Sequence, residues 1–547
     1  MSESYRYFPR STSFRLPRLR AALPWTIAAT LLCGVAEARF DLTILHTNDL
    51  HSRIEPVNAY NTTCNADADG ACFGGIARVK ALIDRRRAEI EADGGAVLVL
   101  DAGDQFQGSL FYTTYKGAAA AEFMNAIGYD AMALGNHEFD DGPENLARFV
   151  SRLEFPVIST NIDTSRSDFL AGLIAPHAVV ARGGERIGIV AGIAEDTPET
   201  SSPGPDVVFE QVETAFSRAV AYLGSIGIDK IIVLNHVGLR RDLEIAAKLD
   251  GIDAIIGGHS HSLLSNSEPK ATGSYPMFAS GAGGRRVPVA HAYAYSRIVG
   301  ELRLTFDDDG AVIEAIGAPH SLDATIAPDA GIARRVSEMI KPFDTLRKQV
   351  VGTVSAPVDA SHCRHDDCEM GILIAEAMLA RTRRQGVQVV IINGGGLRAS
   401  FDAGEVTVEE VLTVLPFQNT LATFGLSGAG IVDALENGVS EAERGAGRFP
   451  QVAGIRYRWN PDNDLGNRIV DIEVRGDRGW MPLEPARTYL VASNDYLRRG
   501  GDGYAVFRDR AIDAYDYGDA LDAILTDYLA TKPEYRPFTD DRIRRVR

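Results

Sequence analysis

Positive charge is scarce in this chain: 56 Lys and Arg stand against 74 Asp and Glu, for a formal charge of -18. Such a surface repels nucleic-acid backbones and anionic membranes, which excludes a general polyanion-binding role. A small anionic substrate is still admitted, because local arginine or metal charge outweighs the global field at short range. Cysteine is scarcer, with 5 residues in 547. Cys33 falls in the N-terminal leader, and the other four make two local pairs, Cys64 with Cys72 and Cys363 with Cys368. An even number of closely spaced cysteines in an exported chain points to two short-loop disulfides. Free thiols, or one zinc site built from all four, are the alternatives. There is no internal repeat and no low-complexity tract.

Long apolar runs are confined to the N-terminus. Arg6, Arg10, Arg15, Arg18 and Arg20 precede the stretch AALPWTIAATLLCGVA, and Ala36 to Ala38 forms an A-x-A site before Arg39. This is the pattern of a secretory signal peptide over residues 1–38, and the apolar stretch is too short to span a bilayer comfortably. An uncleaved signal anchor is the alternative. The final residues, DDRIRRVR, carry no hydrophobic tail. No membrane anchor is therefore expected in the mature chain, and a periplasmic or secreted location is.

A chain of 547 residues exceeds a single core, so two large domains are expected. From Asp41 to about Leu304 a β-rich apolar run repeatedly ends in a polar or glycine-rich turn, as in DLTILHTND, AVLVLDAGD, YDAMALGNH, KIIVLNH and DAIIGGH. Helical patterns such as GIARVKALIDRRRAEIEA lie between several of them. Runs this apolar belong to strands buried on both faces, hence an α/β fold. The first domain is placed at 39–327 and a second α/β region at 350–540. Between them, residues 328–349 read as a helical connector, with Ile332, Val336, Ile340 and Phe343 at helical spacing.

The strand ends carry the chemistry. They supply Asp49 and His51 from NDLH, Asp104 from DAGDQ, Asn136 and His137 from GNHE, His236, and His259 with His261 from GGHSH. The chain has only 11 His, and His51, His137, His236, His259 and His261 all fall in these motifs. Carboxylate, amide and imidazole suit Zn, Mn, Fe or Co rather than a thiolate-loving ion. Ligands in an open α/β sheet belong beyond the carboxyl ends of the strands, where these stand. Asp49, His51, Asp104, Asn136, His236, His259 and His261 are too many for one ion that keeps an open position. They suit two divalent metal ions sharing one carboxylate. Each motif alone is weak, since an isolated D-x-H is commonly a turn.

In combination, D-x-H, GD, GNHE, H and GHSH resemble the calcineurin-like metallophosphoesterase signature. The fuller strings ILHTNDLHSRIEP, LDAGDQFQGS and ALGNHEFDDG look like the 5′-nucleotidase family. The resemblance covers nearly all of the chain after the leader. It implies a four-layer α-β-β-α metallophosphoesterase domain joined by a helix to a C-terminal α/β substrate-binding domain. It implies that Asp49, His51, Asp104 and His261 hold one metal, and Asp104, Asn136, His236 and His259 the other. It also implies a catalytic pair, with Asp140 fixing the tautomer of His137, which meets the phosphoryl group. The other reading of Asp140 is a helix N-cap.

The second region adds SHCRHDDCEMG, with Arg364 inside the Cys363–Cys368 loop, and IINGGGLRAS, with Asn393 and Arg398 around three glycines. Glycine permits close backbone approach, and arginine offers a fork that matches phosphate. By resemblance the two arginines bind substrate phosphate and Asn393 lies in the same site. Phe417 of VLPFQN and Tyr496 of SNDYLRRGGDGY resemble the pair of rings that sandwiches a nucleobase, and Asp502 matches a ribose-binding carboxylate. The sequence departs from the family pattern at Ile372, Glu376 and Tyr496, and at Arg498 and Arg499, which replace small residues beside the pocket. The expected function is hydrolysis of nucleoside 5′-monophosphates to nucleoside and phosphate by an exported di-metal enzyme, monomer or homodimer. Its partner is a nucleotide, with no nucleic-acid polymer. UDP-sugar or 2′,3′-cyclic-nucleotide hydrolysis on the same site is the nearest alternative. A thiosulfohydrolase and a non-catalytic nucleotide-binding protein lie further off.

Overall fold

The computed structural model describes residues 39–64, 71–281, 284–476, 479–516 and 518–546, and the signal peptide expected over 1–38 lies outside them. The first sheet has six strands, in spatial order Val312–Ser321, Ile298–Phe306, Phe40–Thr47, Ala96–Asp101, Ala131–Ala133 and Val157–Ile158. The last four run parallel, and Ile298–Phe306 joins them antiparallel. The second sheet also has six, in the order Met277–Ser280, Arg286–His291, Ala254–Gly257, Lys230–His236, Glu185–Ile193 and His177–Arg182. Its middle four are parallel and its two edges antiparallel.

The alternation of side chains explains the layering. In Ala96–Asp101 every residue is buried: Leu98 and Leu100 face one core, Val97 and Val99 another. A strand that is apolar on both faces has to be covered on both. On one side, Leu42, Ile44, Leu98 and Leu100 share a core with Ile187, Ile189 and Val233 of the second sheet. On the other, Val97, Val99 and Met132 pack with helices Ile76–Ala92 and Ala118–Ile127. Helices Val212–Ser225 and Leu239–Lys248 cover the second sheet. The result is the four-layer α-β-β-α arrangement, with the carboxyl ends of the parallel strands opening on one edge.

The connector is two helices rather than one. Ala330–Ile340 gives way to the short Asp344–Arg347, with a break at Lys341–Phe343. Pro342 lacks the N–H that an uninterrupted helix needs. Val336, Met339 and Phe343 are buried in the core that holds Val97 and Val99, so the connector rests on the first lobe.

The second lobe centres on a five-stranded sheet, ordered Pro450–Ala453, Val389–Asn393, Thr488–Asn494, Leu421–Ser427 and Ile512–Tyr515. The buried helix Glu369–Thr382 packs beside Val389–Asn393. Both expected disulfides are present, Cys64–Cys72 and Cys363–Cys368, with Cα atoms 5.6 and 5.2 Å apart. Two departures from the family pattern have structural roles: Ile372 is fully buried, and Glu376 accepts from Arg542 at 2.9 Å. Among the described residues, no helix is long and apolar enough to cross a membrane.

Candidate metal centre and active site

Five of the seven expected ligands lie in left-handed backbone: φ is 53° at Asp49, 47° at His51, 59° at Asp104, 77° at His259 and 47° at His261. Such conformations cost roughly 1–3 kcal/mol each in non-glycine residues and gather where function fixes the chain. Here they turn the loops after the strands inward. Asp49, His51 and His261 bring ligand atoms within 4.8 Å of one another, as do Asp104, His236 and His259. Asp104 Oδ2 lies 3.7 Å from His51 Nε2 and 3.1 Å from His236 Nε2, so it stands between the two groups. Asn136 joins the second through its Oδ1, 2.9 Å from His259 Nδ1.

The imidazole tautomers fit divalent cations. His51 Nδ1 faces the Phe106 carbonyl at 3.1 Å and His236 Nδ1 the Ala102 carbonyl at 2.6 Å. Each Nδ1–H is thereby engaged, and each Nε2 keeps its lone pair turned into the site. His236 Nε2 is buried with no well-formed hydrogen bond, although the Asp104 carboxylate is close by. An acceptor held against an acceptor in a buried place calls for a cation between them. The charges show the same demand. Burial alone would lower the pKa of His236, but Asp104 and Asp49 outweigh it and push it up to about 10.

His137 sits next to this centre. Its Nδ1 lies 2.7 Å from Asp140 Oδ2, and its backbone N–H donates to Asp104 Oδ1 at 3.0 Å. Burial works against its charged form, yet the carboxylates of Asp140 and Asp104 outweigh it and hold its pKa above the ordinary value. The N-cap position of the next helix, Gly142–Val150, belongs to Asp141. That leaves the Asp140 carboxylate for His137. Glu138, fully buried, accepts from the backbone N–H of Gly135, Asp104 and Gln105 at 2.7–2.9 Å. It ties the Asp104 loop to the Asn136 loop.

The second lobe reaches into the same space. Arg398, just past the glycines that end Val389–Asn393, lies 3.1 Å from His51 Nε2 and 3.5 Å from His137 Nε2. Phe417 stacks on His137 with centroids 5.5 Å apart and planes at 22°. Charge from Arg364 is felt at His259 and His261. Asn393, Tyr496 and Asp502 form a second group: Asn393 Nδ2 donates to Asp502 Oδ2 at 2.7 Å, and the Tyr496 hydroxyl lies 2.9 Å from Asp502 Oδ1. The ring partners of Phe417 are His137 and Arg398; no Phe417–Tyr496 ring pair occurs among the described residues.

Two family models match separate parts of the chain. Residues 42–263 match the calcineurin-like phosphoesterase family, and residues 350–509 the 5′-nucleotidase C-terminal domain. The chain is 37% identical to a 5′-nucleotidase of Mus musculus, over 95% of this chain and 93% of that one. This chain belongs to the 5′-nucleotidase family. Among solved structures, a 5′-nucleotidase precursor from Thermus thermophilus is 39% identical and covers 93% of this chain and 99% of its own, with a TM-score of 0.88. An NAD nucleotidase from Haemophilus influenzae is 29% identical over 93% of this chain and 99% of its own, with a TM-score of 0.57. As a 5′-nucleotidase family member with a calcineurin-like domain, the chain is a metal-dependent phosphoester hydrolase.

Relative to the family pattern, Arg498 and Arg499 turn out to be engaged elsewhere. Arg498 donates to the Phe507 carbonyl and lies 3.3 Å from Asp516, and Arg499 pairs with Asp495 at 3.5 Å. Two residues around the site carry no sequence signal. Tyr295 packs its ring against both His51 and His261, at 5.8 and 5.2 Å, and Ser201 donates to Asp140 Oδ1 at 2.7 Å. Neither is brought to its partners by local spacing: Ser201 stands 61 residues from Asp140 along the chain, and Tyr295 lies in an irregular turn far from His51.

Proposed function

We propose that this protein is an exported 5′-nucleotidase that releases phosphate from nucleoside 5′-monophosphates. The observation that carries the reading is a pair of arginines beside the metal ligands. Arg364 has no side-chain hydrogen bond or ion pair among the described residues, and burial together with the nearby charge of Arg398 lowers its pKa to about 10. Among the described residues the Arg398 guanidinium meets only histidine nitrogens and the Phe417 face. Two neighbouring guanidiniums with no carboxylate in ion-pair contact among the described residues are costly unless an anion joins them. A phosphate matches their fork geometry. A second phosphate group finds no free guanidinium at Arg498, which favours monophosphates over sugar diphosphates. The two disulfides and the leader pattern of residues 1–38 support export.

In this reading Asp49, His51, Asp104 and His261 hold one divalent cation, and Asp104, Asn136, His236 and His259 the other. Cations there would supply charge for the phosphoryl oxygens and acidify the attacking water. Arg398 and Arg364 orient the phosphate from the second lobe. His137, whose charged form the Asp140 carboxylate favours, turns Nε2 toward the negative charge that develops on phosphorus oxygens or leaving group. Phe417 and Tyr496 take the base, and Asp502 with Asn393 the ribose hydroxyls. Phosphate release from AMP, UMP, UDP-glucose and 2′,3′-cAMP under added Mn, Co or Zn tests this. The monophosphates should be the fastest substrates. A clear preference for UDP-glucose or the cyclic nucleotide would overturn the reading.

A further inference from the structure

The turn Asp196–Ser201 of the first lobe touches both halves of the site at once. At its centre, the Glu199 carbonyl lies 2.7 Å from the Tyr496 hydroxyl of the second lobe. Two residues on, Ser201 Oγ donates to Asp140 Oδ1 at 2.7 Å, while the other oxygen of that carboxylate holds His137 Nδ1, also at 2.7 Å. The turn itself is stiff. Thr197 is fully buried and donates to the Ala194 carbonyl, and the Ser201 N–H donates to the Thr197 carbonyl at 2.9 Å. A pull at Glu199 is therefore passed to Ser201 rather than absorbed. His137 is held on its other side by Phe417, again from the second lobe. The frame around the imidazole is thus completed only when both lobes are in place.

Tyr496 has a single hydroxyl hydrogen and two acceptors for it, Glu199 O at 2.7 Å and Asp502 Oδ1 at 2.9 Å. A polar ligand group that engages the Asp502 carboxylate leaves that hydrogen to Glu199. Occupancy of the Tyr496–Asp502 end then tightens the turn.

We propose that Ser201 is a positioning residue for the His137–Asp140 pair, and that its turn couples closure at Tyr496 to the orientation of His137. The assignment rests on the reading of His137 as the group that meets the phosphoryl oxygens. Loss of one hydrogen bond to a charged group predicts that Ser201→Ala lowers kcat for AMP roughly tenfold with KM little changed. Ser201→Thr, which keeps the hydroxyl, should restore most of the rate. In an Asp140→Ala background, Ser201→Ala should cost nothing further, because residues acting through one group are not additive. Tyr496→Phe keeps the ring and loses the Glu199 contact; its loss of kcat should shrink when Ser201 is already Ala. An active wild-type enzyme in which Ser201→Ala leaves kcat unchanged, or raises KM alone, overturns the assignment. So do losses that multiply in the Asp140→Ala background. An inactive wild type on AMP would overturn the functional reading instead.

Discussion

Arg398 Nη2 lies 3.1 Å from Nε2 of His51, joining residues 347 positions apart on either side of the connector. One is a strand-end residue of the first lobe, the other follows the glycine turn of the second. Neither lobe alone assembles the site.

From this contact it follows that Arg398→Ala should lower kcat/KM for AMP about 10–100-fold, the worth of a hydrogen bond to a charged group. Metal content should stay as in the wild type. Arg398→Lys should recover only part, since a point charge cannot reproduce the fork. Steady-state kinetics with metal analysis checks both, and an unaltered kcat/KM would remove Arg398 from substrate binding.

His137 should separate chemistry from metal binding. His137→Ala is expected to keep bound metal and lose on the order of 10²–10⁴ in kcat, the usual contribution of a positioned proton donor. If metal is lost along with activity, His137 is a ligand.

Glu138 accepts four backbone N–H groups, from Asp104, Gln105, Phe106 and Gly135, in a fully buried place. Glu138→Ala leaves them without partners and should destabilise the fold by on the order of 4 kcal/mol, at about 1 kcal/mol or more per group. Urea unfolding measures this. An unchanged midpoint would mean that water replaces the carboxylate without loss.

Between the lobes, Arg347 Nη1 lies 2.9 Å from both oxygens of Glu55 and 3.8 Å from Glu409, which also accepts from Thr63 at 3.0 Å. Burial, and then the neighbouring charge of Glu55, pushes Glu409 up to about 7 against the pull of Arg347. From the ordinary glutamate value of about 4.3 up to that point the folded state binds the extra proton, so stability falls as pH rises through this window. Glu409→Gln stays neutral throughout. Its unfolding midpoint should gain on the wild type between about pH 5 and about pH 8. A variant that instead loses ground at the higher pH would show that the ionised carboxylate stabilises the junction.

Much of this was legible in the sequence because it is local. Runs such as AVLVLD and KIIVLNH are apolar on both faces, so they had to be buried strands, and the expected ligands stand at their ends or within a few residues of them. The disulfide pairs were close enough in sequence to be matched by spacing. The connector was read as one helix although Pro342 stood in its last turns, and the proline decided against it. Ser201 and Tyr295 were not visible at all, because only tertiary packing brings them to Asp140 and to the His51–His261 pair. Arg498 looked like a pocket residue from its position after Tyr496. The carbonyl of Phe507 and the carboxylate of Asp516 claim it instead.

The account stands or falls on two cations sharing Asp104. The most direct test strips the protein with a chelator and restores Mn or Zn stepwise, following phosphate release from AMP and bound metal together. About two equivalents per chain should be needed for full activity, and Asp104→Asn should bind less metal and show no activity at saturation. Full activity of the stripped protein, or of a form holding a single ion, would contradict the account.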